Sequence, residues 1–170
     1  MDSKKENLWK VKYLLDIKKI DKQHQYFFSI CSKIASLCDM ARSGKQVRIG
    51  QFLVTIFELR SYAFKHFATE ESLLVKYNYP DLFKHIEVHD IYLEKIHEFT
   101  NRIKKYHDQI QAPVDHDFIN EVEVISDFAL SWWSNHILEN DKEYAEFVKK
   151  IGRAKAKKKR FLEGNSELCK

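Results

Sequence analysis

A chain of 170 residues is long enough to bury the core of one domain. Four Gly and two Pro leave few turns, which argues against a many-stranded sheet, while twelve Phe, eight Tyr and three Trp exclude a disordered chain and promise a bulky core. The net charge of +4 is a sum of opposites: residues 149–160, "KKIGRAKAKKKR", carry eight basic residues and no acid, and without them the rest stands at −4.

The opening stretch, "MDSKKENLWKVKY", has no apolar run that suits a signal peptide. No window approaches the ~20 apolar residues of a membrane span, so a cytoplasmic protein is expected. Up to residue 18 there is no helical period, and the segment reads as an extended arm anchored on the remainder by Trp9 and Tyr13. A first helix then follows "IDKQH", with a stripe of His24, Phe27, Phe28, Cys31, Ile34, Ala35, Cys38 and Ala41. Asp21 is its expected N-cap, and Gly44 in "ARSGKQ" its stop. Cys31 and Cys38 stand ~10.5 Å apart along that helix. A disulfide needs Cα atoms within ~7 Å, so the two cannot pair with each other. With Cys169 near the C-terminus, this cysteine usage fits a reducing compartment.

The second helix runs from about residue 49 to Tyr77 on Phe52, Ile56, Leu59, Ala63, His66, Glu70, Leu73 or Leu74, and Tyr77. "YNYP" breaks it, and Pro80 suits the first turn of the next helix. The third stripe is Leu82, His85, Ile86, His89, Leu93, Ile96, Thr100 and Ile103. After "DQIQAPVDHD" the fourth is Phe118, Val122, Ile125, Ala129, Trp132, Trp133, His136, Tyr144 and Phe147. Short connections between long helices predict an all-α, up-down-up-down four-helix bundle. Residues 1–150 hold the bundle with its N-terminal arm, and residues 151–170 form a basic C-terminal extension.

Polar residues interrupt these stripes. His24, His66, Glu70, His85, His89 and His136 all lie on them, and each would cost free energy if buried without a partner. His66 and Glu70 are i, i+4, as are His85 and His89, so each pair shares one helical face and can converge on an ion. Antiparallel helices bring all six to the same end of the bundle. Asp141 joins them with a complication. It lies five residues after His136, ~140° around an ideal helix, so it needs a π-bulge or must reach in from the side. Five imidazoles and two carboxylates exceed what one tetrahedral zinc takes and suit two octahedral ions. If both carboxylates and a solvent-derived oxygen bridge the pair, one ion takes three histidines and the other two. The second ion keeps an open position for a small ligand. His97, His107 and His116 fall off the cluster and read as ordinary polar histidines; Glu71 and Glu87 read as solvated or as supports behind the ligands.

With "IDKQH", "HFATEE", "YPDLFKHIEVH" and "HILENDKEY" in place, the sequence resembles the hemerythrin family, specifically its bacterial single-domain members, over roughly residues 9–150. The resemblance implies a non-haem di-iron centre: two iron ions with a bridging oxo or hydroxo group and reversible dioxygen binding without turnover. It implies that His85, His89 and His136 hold the six-coordinate iron, that His24 and His66 hold the five-coordinate one, and that Glu70 and Asp141 bridge. Two departures stand out. A Gly common before the first ligand helix is replaced in "LLDIKKID", and Trp133 stands where Leu often lines the ligand pocket. Trp133, Ile137 and Phe28 are the expected pocket residues. The rival readings are a di-iron enzyme, as oxidase or peroxidase or in nitric oxide chemistry, and a sensor acting through a partner. Contact of residues 149–160 with nucleic acid or an anionic surface is not favoured over a solvated terminus, because no aromatics interleave the charges.

Overall fold

The computed structural model describes residues 8–167, with side chains to Lys157. Residues 1–7 and Cys169 fall outside the described residues. Four long helices build a bundle: α1 (Lys18–Arg42), α2 (Ile49–Tyr77), α3 (Leu82–Arg102) and a fourth made of α4 (His116–His136), a π-helical turn (Ile137–Asp141) and α5 (Lys142–Glu167). α1 packs beside α2 and α4, α2 beside α3, and α3 beside α4, which closes the ring. No strand occurs among the described residues, and no helix among them is long and apolar enough to cross a membrane. α5 runs through residue 151 without a break, so the basic extension continues the last helix. Lys149 pairs with Asp16 at 3.1 Å, and Lys155 lies over the Tyr77 ring.

The helix ends follow local chemistry. Gly44 has φ +77°; its amide donates to the Ala41 carbonyl and that of Lys45 to Met40, so the left-handed residue satisfies carbonyls that α1 leaves open. Asn78, φ 52°, does the same for α2, with Asn78 donating to Val75 and Tyr79 to Leu74. Pro80 lies in the turn before α3, which starts at Leu82. The expected cap on α1 is corrected. Ile17 is the N-cap, and the buried Asp21 carboxylate reaches back to accept from the Leu15 amide at 2.8 Å, so it fastens the arm to the helix. Asp16, in the segment that lacks the Gly, takes φ 57°, a conformation Asp tolerates better than most residues. The arm lies on the bundle through Tyr13, which stacks on Phe28 at 4.9 Å and donates to Ser134 Oγ, while Trp9 packs against the same Phe28.

Away from that end the core is apolar, with Phe52 and Tyr106 edge-on to Phe118. There the α1–α2 and α3–α4 connections pair, as Ile49 donates to Ala112, Gly50 to Ile110 and Val114 to Val47. Ala35, placed on the α1 stripe from its spacing, is exposed, and Ile30 is buried in addition.

Candidate metal centre

At the other end the core turns polar. His24 rises from the second turn of α1, His66 and Glu70 from the last turns of α2, and His85 and His89 from the first turns of α3. His136 closes α4, and Asp141 closes the π-helical turn. That turn solves the angular problem at Asp141. The Lys142 amide donates to the Ile137 carbonyl five residues back, so the backbone absorbs one extra residue. The Asp141 carboxylate returns to 2.9 Å from His136 Nε2. All seven side chains are at most 4% exposed.

Their ligand atoms fall into two groups that could each hold a metal ion. His85, His89, His136 and Glu70 form one; His24, His66, Asp141 and Glu70 form the other. Within each group the atoms lie within 4.8 Å of one another. Glu70 belongs to both. Its Oε2 stands 3.2 Å from His66 Nε2 and 3.3 Å from His89 Nε2, across the boundary between the groups. Asp141 spans it too, with Oδ2 at 3.3 Å from His24 and Oδ1 at 3.7 Å from His85. The Nε2 atoms of His89 and His136 converge to 3.2 Å.

Apart from these approaches to one another, the atoms lack partners. The Nε2 atoms of His24, His66 and His85, Glu70 Oε2 and both Asp141 oxygens are buried without a hydrogen bond among the described residues. Orphans of this kind cost about 1–3 kcal/mol each. A cation between them satisfies every one, so the donor set fits a pair of metal ions.

The outward faces of two ligands are held. The Nδ1–H of His89 donates to Glu71 at 2.8 Å, and that of His66 donates to Gln23 Oε1 at 3.4 Å, while the Gln23 amide donates to Thr69. Such partners fix the tautomer that leaves Nε2 free for a metal. Tyr144 donates to Glu70 Oε1. Sequence spacing placed Glu71 only as a solvated residue or a support, and it missed Gln23. The signal for Gln23 was its place beside His24, on the flank that turns toward α2. The Tyr144 hydroxyl sits one turn after Asp141, which could have marked it.

Electrostatics follow from this crowding. Burial alone would raise the Glu70 carboxyl, but the His66, His136 and His85 imidazoles hold it well below its ordinary value. Asp141 is likewise lowered: burial and Glu70 push it up, and His136 and His24 outweigh them. Burial would pull His136 down, yet Asp141 and then Glu70 push it up to about 10. His66 is lowered, burial outweighing Glu70. The histidine rings are packed with aromatics. Phe67 stacks on His89 at 3.8 Å, Trp132 on His136 at 4.4 Å, and Trp133 lies 4.7 Å from His66 and 6.0 Å from His24. Ile137 is buried in the π-helical turn. Phe28 packs on the arm, and it is Phe27 that stacks on Trp133, at 3.5 Å. His97, His107 and His116 are exposed and away from the cluster, as is Glu87.

The family model of the hemerythrin HHE cation binding domain matches residues 15–148. A bacteriohemerythrin of Clostridium acetobutylicum is 32% identical over 139 residues, 82% of this chain and 98% of the relative. A bacteriohemerythrin of Stenotrophomonas maltophilia is 26% identical over 142 residues, 84% of this chain and 81% of the relative.

Proposed function

This chain belongs to the hemerythrin family, and from that premise we propose that it binds dioxygen reversibly at a buried pair of iron ions. The observation that supports this reading is the split of the donors. Three histidines gather on one side of the shared Glu70 and two on the other, and Asp141 reaches both sides, so with both carboxylates shared one metal would have one protein ligand fewer than its partner. In this reading His85, His89 and His136 would hold one iron, His24 and His66 the other, and Glu70 and Asp141 would be shared between them. Reduced iron bound there would supply the electrons for reversible dioxygen binding.

The protein's own side chains do the rest. Glu71 and Gln23 orient His89 and His66. Tyr144 keeps one Glu70 oxygen hydrogen-bonded and so sets the carboxylate's tilt. Trp133, with Ile137 beside the centre and Phe27 behind the indole, walls the side of the two-histidine metal and excludes water and bulky ligands. Imidazole-rich ligation and a dry surround favour carriage, storage or delivery of dioxygen over substrate turnover. A cytoplasmic location belongs to the same proposal, and the free buried thiols of Cys31 and Cys38 are compatible with it.

The test is spectroscopic. The iron-loaded protein is reduced without air, exposed to dioxygen and then purged while its visible spectrum is followed. Return of the colourless reduced state is expected. One-way conversion to the oxidised form, with no dioxygen released, would refute the proposal, as would a single zinc per chain on metal analysis.

A further inference from the structure

A carrier of this kind has a need its ligands do not meet. Dioxygen is small enough to diffuse to a buried centre, but iron that loses an electron to it is left oxidised and inactive. A reducing partner cannot follow dioxygen inward, because every ligand is at most 4% exposed. The restoring electron has to cross side chains.

Two partly exposed rings lie against the ligand imidazoles. Trp9 is 6.4 Å from the His24 ring and tilted by 37°; Trp132 is 4.4 Å from the His136 ring and nearly parallel, at 16°. The other rings against ligands, Phe67, Trp133 and Tyr144, are buried. Trp132 lies four residues before His136 on α4, so the helix itself lays the indole over the imidazole. Tyr92 at 4.5 Å and Phe67 at 5.7 Å hold the indole from its other sides. Trp132 itself is half-buried, and Ser131 and Asn135, its neighbours along α4, are exposed. One fixed, polarisable ring thus joins a ligand to the surface.

We propose that Trp132 is the electron port of the centre. The proposal rests on the di-iron reading above. A one-electron donor of the reduced-flavin or iron–sulfur class docks over the half-buried Trp132, and its electron passes across the indole to His136 and the iron that His136 would hold. Each transfer leaves the donor oxidised by one electron and takes one iron from ferric to ferrous. Two transfers restore the pair, and the indole ends as it began, with no bond made or broken.

The experiment uses the full chain loaded with iron in the oxidised form and reduced methyl viologen as the donor, with bleaching of the visible band followed by rapid mixing. Trp132→Leu is expected to slow reduction about tenfold or more. Trp132→Phe is expected to fall between, and Trp9→Phe to match the wild type. A wild-type rate in W132L overturns the proposal, and so does a loss confined to W9F. Zinc content and melting temperature separate conduction from a distorted His136. If W132L does not hold zinc as the wild type does, W132F carries the test, and a wild-type rate there overturns the port.

A second readout does not depend on iron. In the zinc-loaded W9F protein, oxidised methyl viologen should quench indole fluorescence by taking an electron from Trp132, and the added W132F change should abolish this quenching. Absence of quenching before that change also overturns the port. A chain that loads iron but never releases dioxygen refutes the carrier reading alone, since viologen quenching still reports whether Trp132 is reached.

Discussion

Trp133 has no exposed surface, lies flat on Phe27 at 3.5 Å and stands 4.7 Å from the His66 ring. It occupies the flank of the two histidines proposed to hold the iron with the open position. Trp133→Leu is expected to speed both dioxygen binding and oxidation of the reduced irons, at a stability cost of about 2 kcal/mol from the space it opens. Rapid-mixing kinetics and thermal melts check the two effects separately; lost stability with unchanged rates would leave Trp133 with a packing role alone. Other single residues show where sequence reasoning stops. The i, i+4 pairs His66–Glu70 and His85–His89 follow from one helix's period, so their shared face was legible. Gln23 and Asp21 were not. Their hydrogen bonds, to His66 and to the Leu15 amide, depend on how a second segment lies alongside, which no local period encodes.

Among the elements, the breaks carry as much information as the helices. Gly44 and the "YNYP" turn announced two ends, because left-handed residues and proline act locally. The departure at Asp16 shows a left-handed turn surviving without glycine. The π-helical turn was legible only as a conflict, a carboxylate five residues from its partner on a helix that repeats sooner. The structure resolves the conflict in the backbone rather than by a sideways reach. Tyr92 and Phe99, buried on α3, were missed because a stripe drawn through His85 and His89 passes beside them. At the opposite end Gly50 seats α2 against the α3–α4 connection. A Cβ there would stand 2.9 Å from the Ile110 carbonyl oxygen, a backbone atom that cannot swing aside. Gly50→Ala should therefore destabilise the fold by about 1–3 kcal/mol. Denaturant melts measure that cost. Metal content should not change, because the substitution lies at the far end of the bundle from the ligands.

For the molecule as a whole, seven buried candidate ligands in one layer tie folding, protons and metal together. Without metal, the lowered Glu70 and Asp141 stabilise the fold above the carboxyls' unfolded values, and that contribution is lost as pH falls through their folded values. His136 works in the opposite sense. Raised to about 10, it stabilises fully below its unfolded value, and its contribution is lost as pH rises through about 10. At neutral pH the metal-free protein therefore carries a proton on His136 that a metal must displace, whereas His66, lowered by burial, has none to give. Zinc, which does not change oxidation state, isolates this step. Calorimetric titration of metal-free protein in buffers of different ionisation heat should show a proton released from His136 per chain near neutrality. That release should fade as pH rises through about 10. A release that does not vary over that range would mean that Asp141 does not hold the His136 proton. The bridging role proposed for Asp141 would then be the part of the reading to revise, because the same short approach to His136 underlies both.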